Sequence, residues 1–449
     1  MKKVSFMHHV ITLMSGAIVA QLISVFASPI ITRLYLPEEL GEIASFLAIV
    51  TIFGSISTGR YDLAIVLPEK EEKATAIAWV GIFLALIIGG VLTLIFKIFG
   101  SKLGPILGIA SLNPFWLTFI GFLVFLVGIE QILNRLAIRE RKFNILVRAQ
   151  IGQQSVMSGM RILLGFQKKG SGGLFYSLIL GHLVRTCTLL WFERKRFFLN
   201  RSFPDFISMR TVAKRYKKFP LVSTWSTLLN TASNQIPVIL FASFLSPTAA
   251  GFYSLTNRIL NLPMTIIGKS FGDAFIERAA RAKNNQEELK KLLLYVYKKL
   301  LLISSICMSF VTFYGPYLFP LIFGEKWTEA GRYAQWISIW LLFKFTNSPI
   351  ATLYFIKEKQ SEGLLMNLIL FISRIGTILI GITLSLDEYR IIIIFSLVGA
   401  LYFILNSFRI LLIGKVSFKN IILNTFLVPG FVYSLQLIVY MMLRYFGVI

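Results

Sequence analysis

Long apolar stretches recur from one end of this 449-residue chain to the other, and no other feature limits its fold so tightly. A run of about 20 apolar residues matches a bilayer core ~30 Å thick. Inside that core every backbone amide must find its partner within the chain, which favours helices. The composition agrees: 56% of residues are hydrophobic and only 15% are charged, too few charges to cover a soluble protein of this size. The reading is an all-α polytopic membrane protein. Residues Ile11 to Thr32 lack a small-residue cleavage site, so they belong to the first span and no removable signal peptide is expected.

Run length and flanking charge place thirteen spans. The first six cover His9–Tyr35, Glu42–Leu67, Thr75–Phe99, Phe115–Ile138, Ile145–Phe166 and Leu174–Trp191. The next six cover Pro220–Leu245, Ala250–Phe275, Leu292–Phe313, Tyr333–Ile356, Gly363–Leu384 and Arg390–Leu412. Between the two sets, Glu193 to Lys218 holds nine Lys/Arg and two acids. That segment is too short to bury a core and reads as a cytoplasmic tether. The expected organisation is therefore an N-terminal six-helix lobe (1–192), a basic tether (193–218) and a C-terminal six-helix lobe (219–414). A further segment (415–449) carries a thirteenth span, Ile421–Arg444.

A formal charge of +25 could suggest nucleic acid, but the basic residues crowd into alternate loops. This is the positive-inside pattern, and it puts the N-terminus in the cytoplasm. Contact with anionic lipid accounts for the charge, and no nucleic-acid partner is expected. Cys187 and Cys307 both lie in apolar segments, which excludes a disulfide framework.

One turn occurs twice. PEELG at Pro37 to Gly41 returns as PTAAG at Pro247 to Gly251, each after an intramembrane proline, Pro29 and Pro237. Together with SPIITRLYLPEELGEIASF, RYDLAIVLP and LIFGEKWTEAGRYAQW, these stretches resemble the polysaccharide transporters of the multidrug/oligosaccharidyl-lipid/polysaccharide exporter superfamily, which include O-antigen and capsule-unit flippases. The resemblance covers spans one to twelve. It implies two six-helix lobes around a central cavity in the bacterial inner membrane. Through that cavity an undecaprenyl-diphosphate-linked oligosaccharide would pass from the cytoplasmic to the outer leaflet by alternating access. It implies no enzyme activity and no cofactor beyond coupling to a proton or sodium gradient, and it suggests glycan polymerase or glycosyltransferase neighbours. A thirteenth span departs from the usual twelve.

Other signatures fail on chemistry. Gly268-Lys269-Ser270 ends like a phosphate loop, but Pro263 stands where its first glycine belongs. His8, His9 and His182 have no neighbouring carboxylate or cysteine at metal-ligand spacing. Polar residues inside the spans say more. Gln21, Ser24 and Ser28 share a helix face, as do Gln154, Ser158 and Arg161, and Thr227, Asn230 and Asn234. Arg258 and Lys269 are eleven residues apart, about three α-helical turns, with Asp273 four residues on. Packing by small polar groups explains single positions; repeated stripes favour a hydrated cavity.

The basic residues in spans, Arg60, Arg161, Arg185, Arg258, Lys269, Lys344 and Arg374, outnumber the acids Asp62, Glu130 and Asp273. Arg185 can snorkel to the inner face, and Glu130 can pair with Asn134 or Arg135. The remaining positive charge suits a diphosphate. Arg258, Lys269, Arg60, Arg374, Arg161 and Lys344 are thus the candidate headgroup ligands, with Gln21, Gln154, Asn230 and Asn234 as polar cavity residues. The resemblance adds weight to Arg258, because related flippases carry a cavity-facing arginine after the turn that PTAAG matches. Asp62, Glu130 and Asp273 are the candidates for ion coupling. Two alternatives stay open: a small-molecule exporter of the same superfamily, which calls for an acidic cavity, and a membrane polymerase or glycosyltransferase, which calls for acidic or histidine clusters in an outer loop.

Overall fold

The computed structural model describes the backbone of residues 6–109, 114–194 and 204–446. Side chains are described throughout these ranges except at 6–14, 114, 266, 269, 270 and 273. Ile449, residues 195–203 of the Glu193–Lys218 segment and the side chains of His8, His9, Lys269 and Asp273 therefore lie outside the described residues.

The described chain is helical: α1 (Phe6–Leu34), α2 (Pro37–Gly54), α3 (Glu71–Ile106), α4 (Pro114–Arg139), α5 (Phe143–Phe166), α6 (Gly170–Arg194), α7 (Phe206–Arg215) and α8 (Thr224–Leu240). These are followed by α9 (Pro247–Leu260), α10 (Lys269–Arg281), α11 (Gln286–Phe323), α12 (Thr328–Ile350), α13 (Leu353–Ile356), α14 (Gln360–Thr383), α15 (Glu388–Ile413) and α16 (Phe418–Tyr445). Ten helical segments among the described residues are long and apolar enough to cross a membrane. At 38 residues, α11 would reach ~57 Å, well beyond the ~30 Å core, so its charged start, QEELKK, projects from the apolar slab. Exposed Phe26, Phe431 and Leu321 would be aggregation hazards in water; against lipid they are ordinary surface.

Three expected spans fall short, each for a local reason. The second, placed at Glu42–Leu67, stops as an α-helix at Gly54; the chain then turns through Gly59 and Arg60, both at positive φ, into a short 3₁₀ helix at Tyr61–Val66. The fifth matches α5, whose Arg148, Gln150, Gln153, Gln154 and Arg161 dilute its apolar character. The eighth, placed at Ala250–Phe275, divides into α9, a wide π-type turn at Met264–Gly268, and α10. That turn changes the angular register, so the eleven-residue spacing of Arg258 and Lys269 no longer equals three α-helical turns.

The chain separates into two compact units, Met1–Gly251 and Phe252–Ile449. In the first, Tyr35, Phe46, Leu174 and Phe175 share one core cluster, while Ile77, Ile132, Leu136 and Val212 of α7 share another. The repeated turns meet inside this unit. A side chain on Gly41 would strike the Pro247 carbonyl, and one on Gly251 would strike the Pro37 carbonyl. Each turn therefore needs its glycine so that the other's backbone can approach. In the second unit α12 is the central helix, burying Trp340, Phe345 and Ile350.

A cationic and aromatic site in the second unit

Trp340 and Lys344 lie four residues apart on α12, on one helix face. The Lys344 ammonium lies 5.2 Å from the centre of the Trp340 ring. Arg374 of α14 places its guanidinium carbon 4.7 Å from the same ring and 5.8 Å from Phe395 of α15. Phe403 stacks on the indole at 5.9 Å and 13°, which fixes the ring. Trp340 and Arg374 are 1% and 4% exposed, so both cation–π contacts are formed out of water. Such contacts strengthen to about 2 kcal/mol when desolvated.

The surrounding polar groups prolong the site. Lys344 Nζ donates to Asn261 Oδ1 at 3.3 Å. Asn261 Nδ2 in turn donates to the Asn257 carbonyl at 2.5 Å and to Asn257 Oδ1 at 2.8 Å, which fixes its amide orientation. Arg258, next in the chain and half-buried, belongs to the same end of α9. Lys344 and Arg374 are near enough to repel each other, and the described contacts of Lys344 are an amide oxygen and an aromatic face, neither of which carries a negative charge. Trp340 Nε1 is buried without a hydrogen-bond acceptor. Two cations and an unused N–H donor in an apolar unit make an environment suited to an anion.

Polar residues of the first unit are arranged differently. Where α2 breaks, Gln131 Nε2 and Ser57 Oγ both donate to the Gly54 carbonyl, each at 2.9 Å, beside the Ser57 amide at 3.3 Å. Thr58 Oγ1 donates to Asp62 Oδ1 at 2.9 Å, and Arg135 Nε lies 3.6 Å from Asp62 Oδ2. Arg60, left-handed beside them, has a buried Nε with no hydrogen-bond partner. Glu130 does not turn to Asn134 or Arg135. Its Oε1 lies 2.9 Å from His182 Nδ1 and its Oε2 lies 3.6 Å from Arg185 Nε, both on α6. His182, which has no carboxylate near it in sequence, thus acquires one in space.

The remaining candidates scatter. Arg161 donates from Nε to Ser177 Oγ at 3.2 Å and receives the Tyr35 hydroxyl at its carbonyl at 2.8 Å. It braces α1, α5 and α6. Gln21 is half-buried, and its stripe partner Ser28 donates back to Ser24 O of its own helix at 2.8 Å. Gln154 keeps a buried Oε1 with no hydrogen-bond donor. Asn230 and Asn234 are exposed and joined by an Asn234 Nδ2 to Asn230 O hydrogen bond of 2.8 Å. The residues that sequence reasoning passed over are Trp340 and Asn261; the four-residue spacing of Trp340 and Lys344 was the available signal.

Outside the spans, the turn after α4 is stapled by Lys142, whose Nζ lies 3.3 Å from Glu193 Oε1 and also contacts Glu140. Burial works against the charge of Lys142, but the two carboxylates outweigh it and hold its pKa above the ordinary lysine value.

The same arrangement of helices occurs in known transporters. An inward-facing multidrug resistance MATE family transporter of the MOP superfamily matches with a TM-score of 0.72 at 16% identity, over 88% of this chain and 96% of that one. The lipid II flippase MurJ, in an inward closed conformation, also matches at 0.72, with 12% identity over 98% and 99% of the two chains. The succinoglycan biosynthesis transport protein ExoT of Rhizobium meliloti (strain 1021) is 23% identical over 310 residues, 67% of this chain. The chain spans 59% of that relative's length. The model of the polysaccharide biosynthesis protein family matches residues 30–332. That match takes in both repeated turns and well over half of the sequence, and the chain belongs to the polysaccharide biosynthesis protein family.

Proposed function

We propose that this protein is a flippase that carries an undecaprenyl-diphosphate-linked oligosaccharide from the cytoplasmic to the outer leaflet of the bacterial inner membrane, for O-antigen, capsule or exopolysaccharide synthesis. The observation that carries the reading is the Lys344–Trp340–Arg374 cluster. Inserting a lysine or arginine at bilayer depth costs about 2.5–3.5 kcal/mol on translocon scales, and an apolar residue would fill the same space without that penalty. A diphosphate offers negative charge to Lys344, whose described contacts carry none, and an arginine fork matches its oxygens in a way an ammonium cannot. The indole face then suits the first sugar of the chain.

In this scheme residues 1–192 and 219–414 act as two six-helix lobes that open alternately, with 193–218 as a cytoplasmic tether, the N-terminus inside and a thirteenth span at the end. A proton or sodium gradient drives the cycle. Glycosyltransferases supply the lipid-linked unit and a polymerase receives it. ExoT, a succinoglycan transport protein, and MurJ, a lipid II flippase, act on related cargo, which supports the reading. A multidrug-type exporter of organic cations fits the fold equally well, but such cargo would be repelled by Lys344 and Arg374.

The test is surface-glycan export in cells that depend on this protein. Arg374→Ala and Lys344→Met each abolish export at normal protein level and membrane insertion, and Arg258→Ala does the same, with Arg258→Lys restoring it only in part. Wild-type export by Arg374→Ala and Lys344→Met together would remove the diphosphate assignment.

A further inference from the structure

One cluster of titratable groups takes no part in the Lys344–Trp340–Arg374 site. It lies wholly within the first unit and joins α4, α5 and α6 at Glu130, Gln153, His182 and Arg185. Glu130 and Gln153 are buried, and the His182 side chain is 14% exposed.

The orientation of Gln153 is fixed. Its Oε1 accepts from Arg185 Nη1 at 3.0 Å, so its Nε2, which can only donate, faces His182 Nδ1 at 3.3 Å. On the other side of the same nitrogen, Glu130 Oε1 lies 2.9 Å away. An amide N–H can bond only a bare Nδ1, whereas a carboxylate can bond only a protonated one. His182 Nδ1 therefore stands between two partners that require opposite protonation states, and it can satisfy one at a time. Thr186 Oγ1 at 3.3 Å and Arg185 Nε at 3.6 Å hold Glu130 in place for either state.

We propose that Glu130 and His182 form a proton-binding switch, in which uptake of one proton transfers the His182 hydrogen bond from Glu130 of α4 to Gln153 of α5. Before uptake, neutral His182 carries its proton on Nδ1 and donates it to the Glu130 carboxylate, whose charge Arg185 cancels. The incoming proton binds Nε2. The Nδ1 proton then crosses the contact to Glu130 Oε1, which becomes a neutral carboxylic acid and turns its O–H to Thr186 Oγ1, 3.3 Å away, leaving the bare Nδ1 to accept from Gln153 Nε2. One proton has entered, the cluster has gained one positive charge, and release through Nε2 reverses each step. Imidazole suits this work because its ordinary titration range covers neutral pH.

Neighbouring charges are engaged elsewhere. Arg135 of α4 faces Asp62, Arg161 of α5 holds Ser177, and Glu193 of α6 takes Lys142. Between Lys73 and Lys97, α3 carries no titratable side chain; α2 has its acids at Glu38, Glu39 and Glu42 in the opening turns, and α1 has Arg33 in its last turn.

This switch rests on the transport reading for its purpose but not for its detection. Infrared difference spectra of the full chain in lipid nanodiscs, recorded between about pH 8 and about pH 5.5, span the titration range of imidazole. The carbonyl stretch of a newly protonated carboxylic acid should appear in the wild type, vanish in the isosteric Glu130→Gln and weaken or shift in Gln153→Leu, which removes the competing donor. A wild-type spectrum indistinguishable from that of Glu130→Gln overturns the switch. Export is the second readout. Loss of export in both His182→Gln and Glu130→Gln, at normal protein level, agrees with a coupled switch; wild-type export in both overturns the coupling while leaving the flippase reading intact. Cargo other than a lipid-linked glycan would sink the flippase reading and leave the infrared result standing.

Discussion

The two compact units keep charge in an apolar interior by different means. In the first, Asp62 and Glu130 are buried and each meets a cation: Asp62 faces Arg135, and Glu130 faces Arg185. In the second, Lys344 and Arg374 converge on the indole of Trp340, and Lys344 reaches a neutral amide. A carboxylate cancels a charge, whereas an aromatic face only attracts it, by about 0.5–2 kcal/mol. Asp62 and Glu130 of the first unit are thus balanced without a ligand. Among the described contacts Lys344 in the second is held but not neutralised, which fits the proposed role of accepting an anion and releasing it again.

If this contrast is right, the largest effect on folding should come from the first unit. Asp62→Asn leaves Arg135 without its counter-charge. Removing one partner of a fully buried pair costs about 3–5 kcal/mol, but the Arg135 side chain is 37% exposed, so a discounted loss of about 1–3 kcal/mol is expected. Thermal unfolding in detergent should show a lower midpoint for Asp62→Asn, with much of it recovered in the Asp62→Asn/Arg135→Met double variant. A wild-type midpoint in the single variant, together with lost export, would break the contrast by making Asp62 an ion-coupling group rather than a structural one.

The legibility of these features follows the range of the forces involved. Apolar run length is a property of the local sequence, and ten of the thirteen spans it placed coincide with helices among the described residues that are long and apolar enough to cross a membrane. The break at Gly54 was hidden because GSISTGRYDLAIVLP is apolar enough to read as continuous span; the left-handed Gly59 and Arg60, and Gln131 reaching across to the Gly54 carbonyl, reveal it. The wide turn at Met264–Gly268 was hidden too, since a single wide turn alters register without altering composition. Within the site, Lys344 and Arg374 were visible as isolated charges in apolar surroundings. Their common partner Trp340 was not, because one contact is local to α12 and the other comes from α14. His182 and Glu130 are separated by 52 residues, and no periodicity along one helix could have paired them.

A smaller effect should separate holding from neutralising in the second unit. Trp340→Phe keeps an aromatic face with a weaker quadrupole and removes the buried Nε1–H that lacks an acceptor. The expected loss of cation attraction is about 0.5–1 kcal/mol, or roughly two- to fivefold in export rate, whereas Trp340→Leu should lose considerably more. Equal export by Trp340→Phe and Trp340→Leu would mean that the ring only fills space and that the cations rely on other groups.

The smallest effect should come from an ion pair in water, where neither strategy applies. Lys283 Nζ lies 2.6 Å from Glu358 Oε1, with the two side chains 42% and 74% exposed. The hydrogen bond from Lys283, and then its charge, hold the Glu358 carboxyl below the ordinary carboxylate range. A depressed carboxylate contributes stability above its unfolded pKa and loses it as pH falls through the folded value. Any contribution of this pair is therefore present at neutral pH and disappears in acid. Solvent screens both charges, so Glu358→Gln should leave the unfolding midpoint at neutral pH unchanged. A drop as large as that of Asp62→Asn would show that geometry alone, and not burial, sets the worth of ion pairs in this protein.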